Sequence, residues 1–398
     1  MQLSSRVQTI KPSPTLAVTA RAASLKAEGK DIIGLGAGEP DFDTPQHIKD
    51  AAIAAINKGL TKYTAVGGTL GLKKAIIEKF RRDNELEYDH SQILVSCGGK
   101  QSFFNLALAL LNPEDEVIIP APFWVSYPDI VKIAEGKPVF VAAGIEQNFK
   151  ITADQLEKAI TQKTKLVVIN SPSNPTGAVY TLEELSSLGE VLRKYPQILI
   201  ATDDMYEHIL LSGKRFVNIL NACPDLHSRT VVLNGVSKAY SMTGWRIGYC
   251  GGPAEIVTAM ENIQSQSTSN PSSISQAAAE MALNADQSCI RPMVDAFIAR
   301  NDFITDQLNQ CKGIACLKSE GAFYAFADVR QAIANLYDKH LIQHKNDLAF
   351  SEYLLEKSGI AVVPGSAFGS EGYMRLSFAT SMENLEKASV RLKQALDQ

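Results

Sequence analysis

The chain carries five short, almost wholly apolar runs, at 92–96, 116–120, 165–170, 197–201 and 230–233, and each gives way to a turn of small or polar residues. Runs this short, without polar alternation, fit strands covered on both faces, as in a mainly parallel sheet. Stretches with helical spacing, such as 102–111 and 182–195, lie between them. Strand and helix in alternation predict a large α/β domain over 46–285. At 398 residues the chain exceeds what one hydrophobic core usually serves. A second pattern, at 321–327, 348–356, 361–365 and 374–378, predicts a smaller α/β domain over 286–398. Residues 1–45 read as an arm that contributes part of the smaller domain; it is polar to residue 15, with Pro12 and Pro14, and a helix follows over 16–29.

In open parallel sheets the ligand lies beyond the carboxyl ends of the strands, so the residues that follow each run are the candidates for chemistry. After 230–233 comes Lys238, on a turn of small residues. A partly desolvated amine there loses its proton more readily and becomes nucleophilic. Arg246 adds a fixed cation between Gly244 and Gly248. After 92–96, Gly98 and Gly99 open a helix, where free backbone N–H groups and the helix dipole suit an anion. Lys100 opposes that dipole and needs an anion beside it. Trp124, on a proline-rich turn with Phe123 and Tyr127, offers a face on which a planar ring can stack. Asp203 and Asp204 are adjacent acids past the fourth run, and burial of both calls for a cation. Arg375 interrupts an apolar alternation at 374–378, and its planar fork suits a carboxylate.

The stretch from Ser237 and Lys238 through Gly244 and Arg246 to Gly248 resembles the lysine motif of the class I pyridoxal-phosphate-dependent aminotransferases, Ser-Lys-x-x-x-x-x-Gly-x-Arg-x-Gly. Gly36-Ala37-Gly38-Glu39-Pro40-Asp41-Phe42 and Asn174-Pro175-Thr176-Gly177 match two further signatures of that family, and Gly98-Gly99-Lys100 matches its bacterial aspartate aminotransferase branch. The resemblance runs from the arm to Arg375. It implies fold type I, pyridoxal 5′-phosphate as cofactor, and amino-acid and 2-oxo-acid substrates, with aspartate and glutamate fitting the charge pattern and prephenate, which this branch also accepts, or aromatic amino acids as the alternative. Lys238 would form the Schiff base and move the substrate proton, and Arg246 would grip the phosphate beside Gly98 and Gly99. Trp124 would stack on the pyridine and border the substrate, Asp203 would hold the ring nitrogen charged, Tyr206 and Asn174 would hydrogen-bond the phenolic oxygen, and Asn174 would also donate to the substrate carboxylate. Arg375 would bind the substrate α-carboxylate, Lys100 a distal one, and Gly38 would approach the substrate through its backbone. Tyr63, framed by Gly68 and Leu72, would reach the cofactor phosphate of a second subunit, which implies a homodimer with shared sites. Gly235 departs from the common form, where a serine binds phosphate; backbone groups would take over there.

Other classes fit less well. Gly34, Gly36 and Gly38 lack the helix that a dinucleotide fingerprint needs at once, because Pro40 and Asp41 follow. A net charge of −4 with no basic run longer than 79–82 argues against nucleic acid as partner. A regulator of this fold would need a DNA-binding domain, for which there is no room before Pro12. A pyridoxal-phosphate lyase or synthase shares Lys238, Asp203 and Tyr206, and only substrate contacts separate it. Six cysteines, at 97, 223, 250, 289, 311 and 316, show neither paired spacing nor a histidine partner for a metal. With no apolar signal core at residues 1–7 and no stretch near eighteen apolar residues, a cytoplasmic protein without a membrane span is expected.

Overall fold

The computed structural model describes residues 3–10, 12 and 14–397. Its strands are, in chain order, β1 (Ile33–Gly34), β2 (Ile93–Ser96), β3 (Glu116–Ala121), β4 (Lys137–Ala142), β5 (Thr164–Asn170), β6 (Leu199–Asp203), β7 (Thr230–Gly235), β8 (Gly248–Gly251), β9 (Ala315–Cys316), β10 (Tyr324–Asp328), β11 (Ile360–Ala361), β12 (Val363–Pro364) and β13 (Tyr373–Ser377). β2 to β8 form one sheet in the order β2-β8-β7-β6-β5-β3-β4. All its pairings are parallel except those of β8, which runs antiparallel to β2 and β7. A second, antiparallel sheet has the order β12-β13-β10-β9, and β1 pairs in parallel with β11.

The apolar runs are continuous because both faces of the large sheet are covered. Leu94, Val117, Val168, Ala201 and Leu233 pack on one side with Phe103 and Leu106 of helix Gly99–Leu110 and Met260 of helix Ala254–Ser265. Their chain neighbours Val95, Ile118, Val167, Ile200 and Val232 face the other side, toward Ile76 and Phe80 of helix Leu70–Asn84 and Leu188 of helix Leu182–Arg193. The alternation follows from the two-residue period of a strand. Helix Leu182–Arg193 starts where the sequence expects it, because Thr181 and Glu184 close a capping box.

Several boundaries move, among them that of helix 102–111, which begins earlier, at Gly99. The run expected as a strand over 197–201 is β6, Leu199–Asp203, since Ile198 N–H still donates to Tyr195 O in the preceding turn. The arm is less extended than expected: Ser5–Gln8 forms a helical turn and a long helix begins at Pro14. Met1, Gln2, Lys11 and Ser13 of that arm lie outside the described residues.

Behind the carboxyl end of β6 lies a buried polar group. Lys79, from helix Leu70–Asn84, pairs with Glu207, and Asn84 Nδ2 and Asn234 Nδ2 donate to the same carboxylate at 2.6 and 2.9 Å. Burial pushes the Glu207 carboxyl up, but Lys79, His208 and Asn84 outweigh it, and the group stays below its usual range. Removing the cation strands a buried charge. Lys79→Ala is therefore expected to cost about 3–5 kcal/mol of unfolding free energy, read as a lower urea midpoint.

Candidate active site

The register of the large sheet brings the ends of its strands to one edge. Ser96 pairs with Gly248, Gly248 with Gly235, and Asp203 with Asn170. Beyond this edge is a cavity of about 450 Å³. Segment 236–247 leaves β7 and returns as β8, so Lys238 and Arg246 both project from it into the cavity. The return is tight: a Cβ on Gly248 would come within 2.2 Å of Gly99 N, and one on Gly235 within 3.1 Å of Gly248 Cα. The Gly235 N–H already donates to Asn234 Oδ1 at 2.7 Å, so this backbone group is not free for the anion role expected of it.

Lys238 Nζ donates to Gly38 O at 2.6 Å, across two hundred residues of chain. Its amine is pushed down to about 8, first by burial and further by Arg375 and Arg246, against the opposing pull of Glu39. Arg375 clasps the same loop, donating from Nη2 to Gly36 O at 2.6 Å and from Nη1 to Asn174 Oδ1 at 3.0 Å. Its guanidinium carbon lies 4.5 and 5.0 Å from the ring centres of Tyr324 and Phe368. Arg375 Nε is buried without a hydrogen-bond partner among the described residues, and a buried donor of that kind calls for an anion.

Asn174 is fixed from behind. Its N–H donates to Asn170 Oδ1 at 3.0 Å and Asn170 Nδ2 donates to Asp203 O at 2.9 Å. With Oδ1 held by Arg375, the Asn174 amide nitrogen is left to donate into the cavity. Asp203 faces the cavity and accepts from Tyr127 Oη, while burial pushes its carboxyl up. Asp204 does not join it. Thr202 Oγ1 and Asn218 Nδ2 donate to Asp204 at 2.6 and 2.8 Å, and burial pushes this carboxyl up to about 7. The expectation of one cation serving both acids is corrected, because successive residues at a strand end point to opposite faces.

Lys100, in the first turn of helix Gly99–Leu110, places Nζ 5.3 Å from the Trp124 ring centre, and burial followed by the Arg246 charge lowers its pKa. Trp124 meets Tyr127 edge to face. Gly98 caps the helix at φ 98°, and a Cβ there would come within 2.3 Å of Arg246 Nη2. The first-turn N–H groups of Gly99 and Lys100 have no intrahelical acceptor. A missing side chain, helix N–H groups and a guanidinium thus surround one anion-sized space, and a buried carboxylate, a phenol and an amide line the same cavity. These donors and acceptors fit a phosphorylated pyridine.

Of the residues expected at a site, Gly38, Gly99, Lys100, Trp124, Asn174, Asp203, Tyr206, Lys238, Arg246 and Arg375 line this cavity. Gly98 stands just behind it as the helix cap, and Tyr63 lies apart, 91% exposed on the loop between helices Gln46–Asn57 and Leu70–Asn84. Sequence reading missed Thr15 and Thr19 from helix Pro14–Ala27, Glu39, Asn170, Thr243 and Tyr324, all lining it. Glu39 and Thr243 lie inside motifs already singled out and could have been named. Thr15, Thr19 and Tyr324 reach the cavity only through tertiary contacts.

The sequence profile described as Aminotransferase class I and II matches residues 30–392. The aspartate/prephenate aminotransferase of Nitrosomonas europaea is 73% identical over 396 residues, covering 100% of both chains. The crystal structure of the aspartate aminotransferase from Rhizobium meliloti superposes with a TM-score of 0.95 at 49% identity, covering 100% of this chain and 99% of that one. The aspartate aminotransferase of Thermus thermophilus with maleate does so with a TM-score of 0.93 at 40% identity, covering 99% and 100%. With its mostly parallel sheet, its lysine-bearing hairpin and these relatives, the chain belongs to the class I and II aminotransferases and is a pyridoxal 5′-phosphate-dependent enzyme.

Proposed function

We propose that this enzyme moves the amino group between L-aspartate or L-glutamate and a 2-oxo acid such as 2-oxoglutarate. The observation that carries the reading is the charge of the cavity. Lys100, Lys238, Arg246 and Arg375 line it against two acids, Glu39 and Asp203. A phosphate and two substrate carboxylates supply the anions that four cations clustered around one cavity need. The relative from Nitrosomonas europaea, named for aspartate and prephenate, supports the same chemistry, as does the maleate on the Thermus thermophilus enzyme. Prephenate is a second substrate on this reading, since it too carries two carboxylates.

Position in the cavity supports the following roles. When bound, pyridoxal 5′-phosphate supplies an aldehyde carbon and an electron-withdrawing ring. Lys238 Nζ would hold that carbon and, with its amine free, would take the proton from the substrate Cα and deliver it to the former aldehyde carbon. Arg246 and the N–H groups at Gly99 and Lys100, with Gly98 leaving the space, hold the phosphate. Asp203 keeps the ring nitrogen protonated, Tyr206 and Asn174 donate to the phenolic oxygen, and Trp124 stacks on the ring. Arg375 orients the α-carboxylate beside the Gly38 backbone, and Lys100 takes the distal one.

We also infer a homodimer with shared sites, in which Tyr63 reaches the partner's cofactor phosphate; exposed Ile53, Ile56, Leu60 and Leu70 flank it along the chain and supply apolar surface for such a contact. Residues 46–285 are assigned to a cofactor-binding domain, and 286–398 to a smaller domain joined by part of 1–45 through the β1–β11 pairing. The six free thiols suit the cytoplasm, and among the described residues no helix is long and apolar enough to cross a membrane.

L-aspartate without an oxo acid is expected to bleach the visible cofactor band and release about one equivalent of oxaloacetate per site. An unchanged band would sink the dicarboxylate reading. Lys100→Ala should raise KM for aspartate about 10–100-fold and leave kcat/KM for amino acids lacking a second carboxylate nearly unchanged. In cofactor-free protein the rate of cofactor uptake should climb with pH to about 8 and then level, because only neutral Lys238 attacks; a flat profile speaks against the buried amine. Gly98→Ala should weaken cofactor retention at least about tenfold in equilibrium dialysis, since the new methyl displaces Arg246.

A further inference from the structure

We propose that Tyr324 is a positioning residue: its hydroxyl fixes the direction in which Tyr206 donates and so tunes the proton affinity of the link between Lys238 and the cofactor. The proposal rests on the reading above that Tyr206 donates to the cofactor's phenolic oxygen.

The two phenols meet at 2.8 Å, Oη to Oη, and both are buried. Each has one hydrogen to give and room to accept. If Tyr206 supplied the shared hydrogen, it would have none left for the cavity. If Tyr324 supplies it, Tyr206 keeps its own for the cavity, and a hydroxyl that accepts one hydrogen bond donates the next more strongly. Tyr324 is placed to be the donor. Its ring lies 4.5 Å from the Arg375 guanidinium carbon, and that cation draws charge out of the phenol and polarises its O–H bond. Its backbone is held in β10, opposite Ser377 of β13, so the hydroxyl approaches Tyr206 from a rigid element.

The neighbouring loop has made space for this hydroxyl. A Cβ on Gly38 would lie 3.0 Å from Tyr324 Oη, tighter than such contacts usually run. The Gly38 carbonyl is also the acceptor of the Lys238 amine. One glycine therefore borders both the amine and the phenol. Besides Tyr324, the charged and titratable groups facing Tyr206 are Asp203, Arg375, Tyr127 and Lys238, whose Nζ is 5.9 Å from the Tyr206 ring centre. Those facing Lys238 are Glu39, Arg375, Arg246 and Asp203. Changing Tyr324 to phenylalanine removes none of these charges, so an effect on the cofactor link has to pass through the hydrogen bond.

The test is a pH titration of the visible cofactor absorption of the holoenzyme, with Tyr324→Phe and Tyr206→Phe beside the native chain. Donation to the phenolic oxygen stabilises negative charge there and favours the unprotonated link, so weakening it raises the midpoint. Tyr324→Phe is expected to raise the midpoint by about half a unit and Tyr206→Phe by more. Replacing Tyr324 by 3-fluorotyrosine, a stronger donor of nearly the same shape, should lower it, which guards against a phenylalanine variant that folds poorly. A shift with Tyr206→Phe but none with either change at 324 overturns the proposal alone. No shift with Tyr206→Phe overturns the assignment of Tyr206 and the proposal with it.

Discussion

Two cations close one short loop. Lys238, from the large sheet, holds the Gly38 carbonyl, and Arg375, from the smaller sheet, holds the Gly36 carbonyl. The loop itself continues from β1, which pairs with β11 close to the carboxyl-terminal part of the chain. Three distant parts of the chain are thus tied together by charged donors on backbone oxygens, a contact stronger than a neutral hydrogen bond. The cavity exists because this loop is held over the strand ends, and each group in it is measured against these two anchors.

Burial sets the electrostatics of the site in a consistent direction. It pushes Asp203 up and Lys238 and Arg375 down, so these three groups favour their neutral forms more than they would in water. Such groups are poised to gain from a partner of the opposite charge, and that is how an empty-handed arginine Nε can persist in a core. The contrast with Glu207 is informative. It is more deeply buried than Asp203, yet it has its cation within the chain and stays below the usual carboxylate range. One acid end is finished internally, while the other faces the cavity.

Much of this was legible in the sequence because strand ends, glycine turns and helix starts are local features. Lys238, Arg246, Gly98, Gly99 and Lys100 could be placed by their distance from an apolar run, and the mostly parallel sheet by the runs themselves. Residues that enter from afar could not. Tyr324 reaches Tyr206 because β10 pairs with β13, and Thr15 and Thr19 because a helix expected to begin two residues later lies against the cavity. The coupling of Asp203 with Asp204 failed for a different reason. Adjacency in sequence was read as adjacency in function, although a strand turns neighbours away from each other. Pro196 and the turn after it also delayed β6, so the strand ends on Asp203 itself.

The hairpin that carries Lys238 and Arg246 has a mechanical consequence. Its two legs are clamped where Gly235 meets Gly248, and the outer leg is wedged against the Gly98 and Gly99 backbone. Both functional ends of segment 236–247 are therefore mounted on one rigid frame, like the jaws of a caliper set to a single opening. Any movement of the smaller sheet toward the large one carries Arg375 with it but leaves that opening unchanged. The spacing between Lys238 and Arg246 is set by the hairpin, whereas Arg375 enters the same cavity from the smaller sheet.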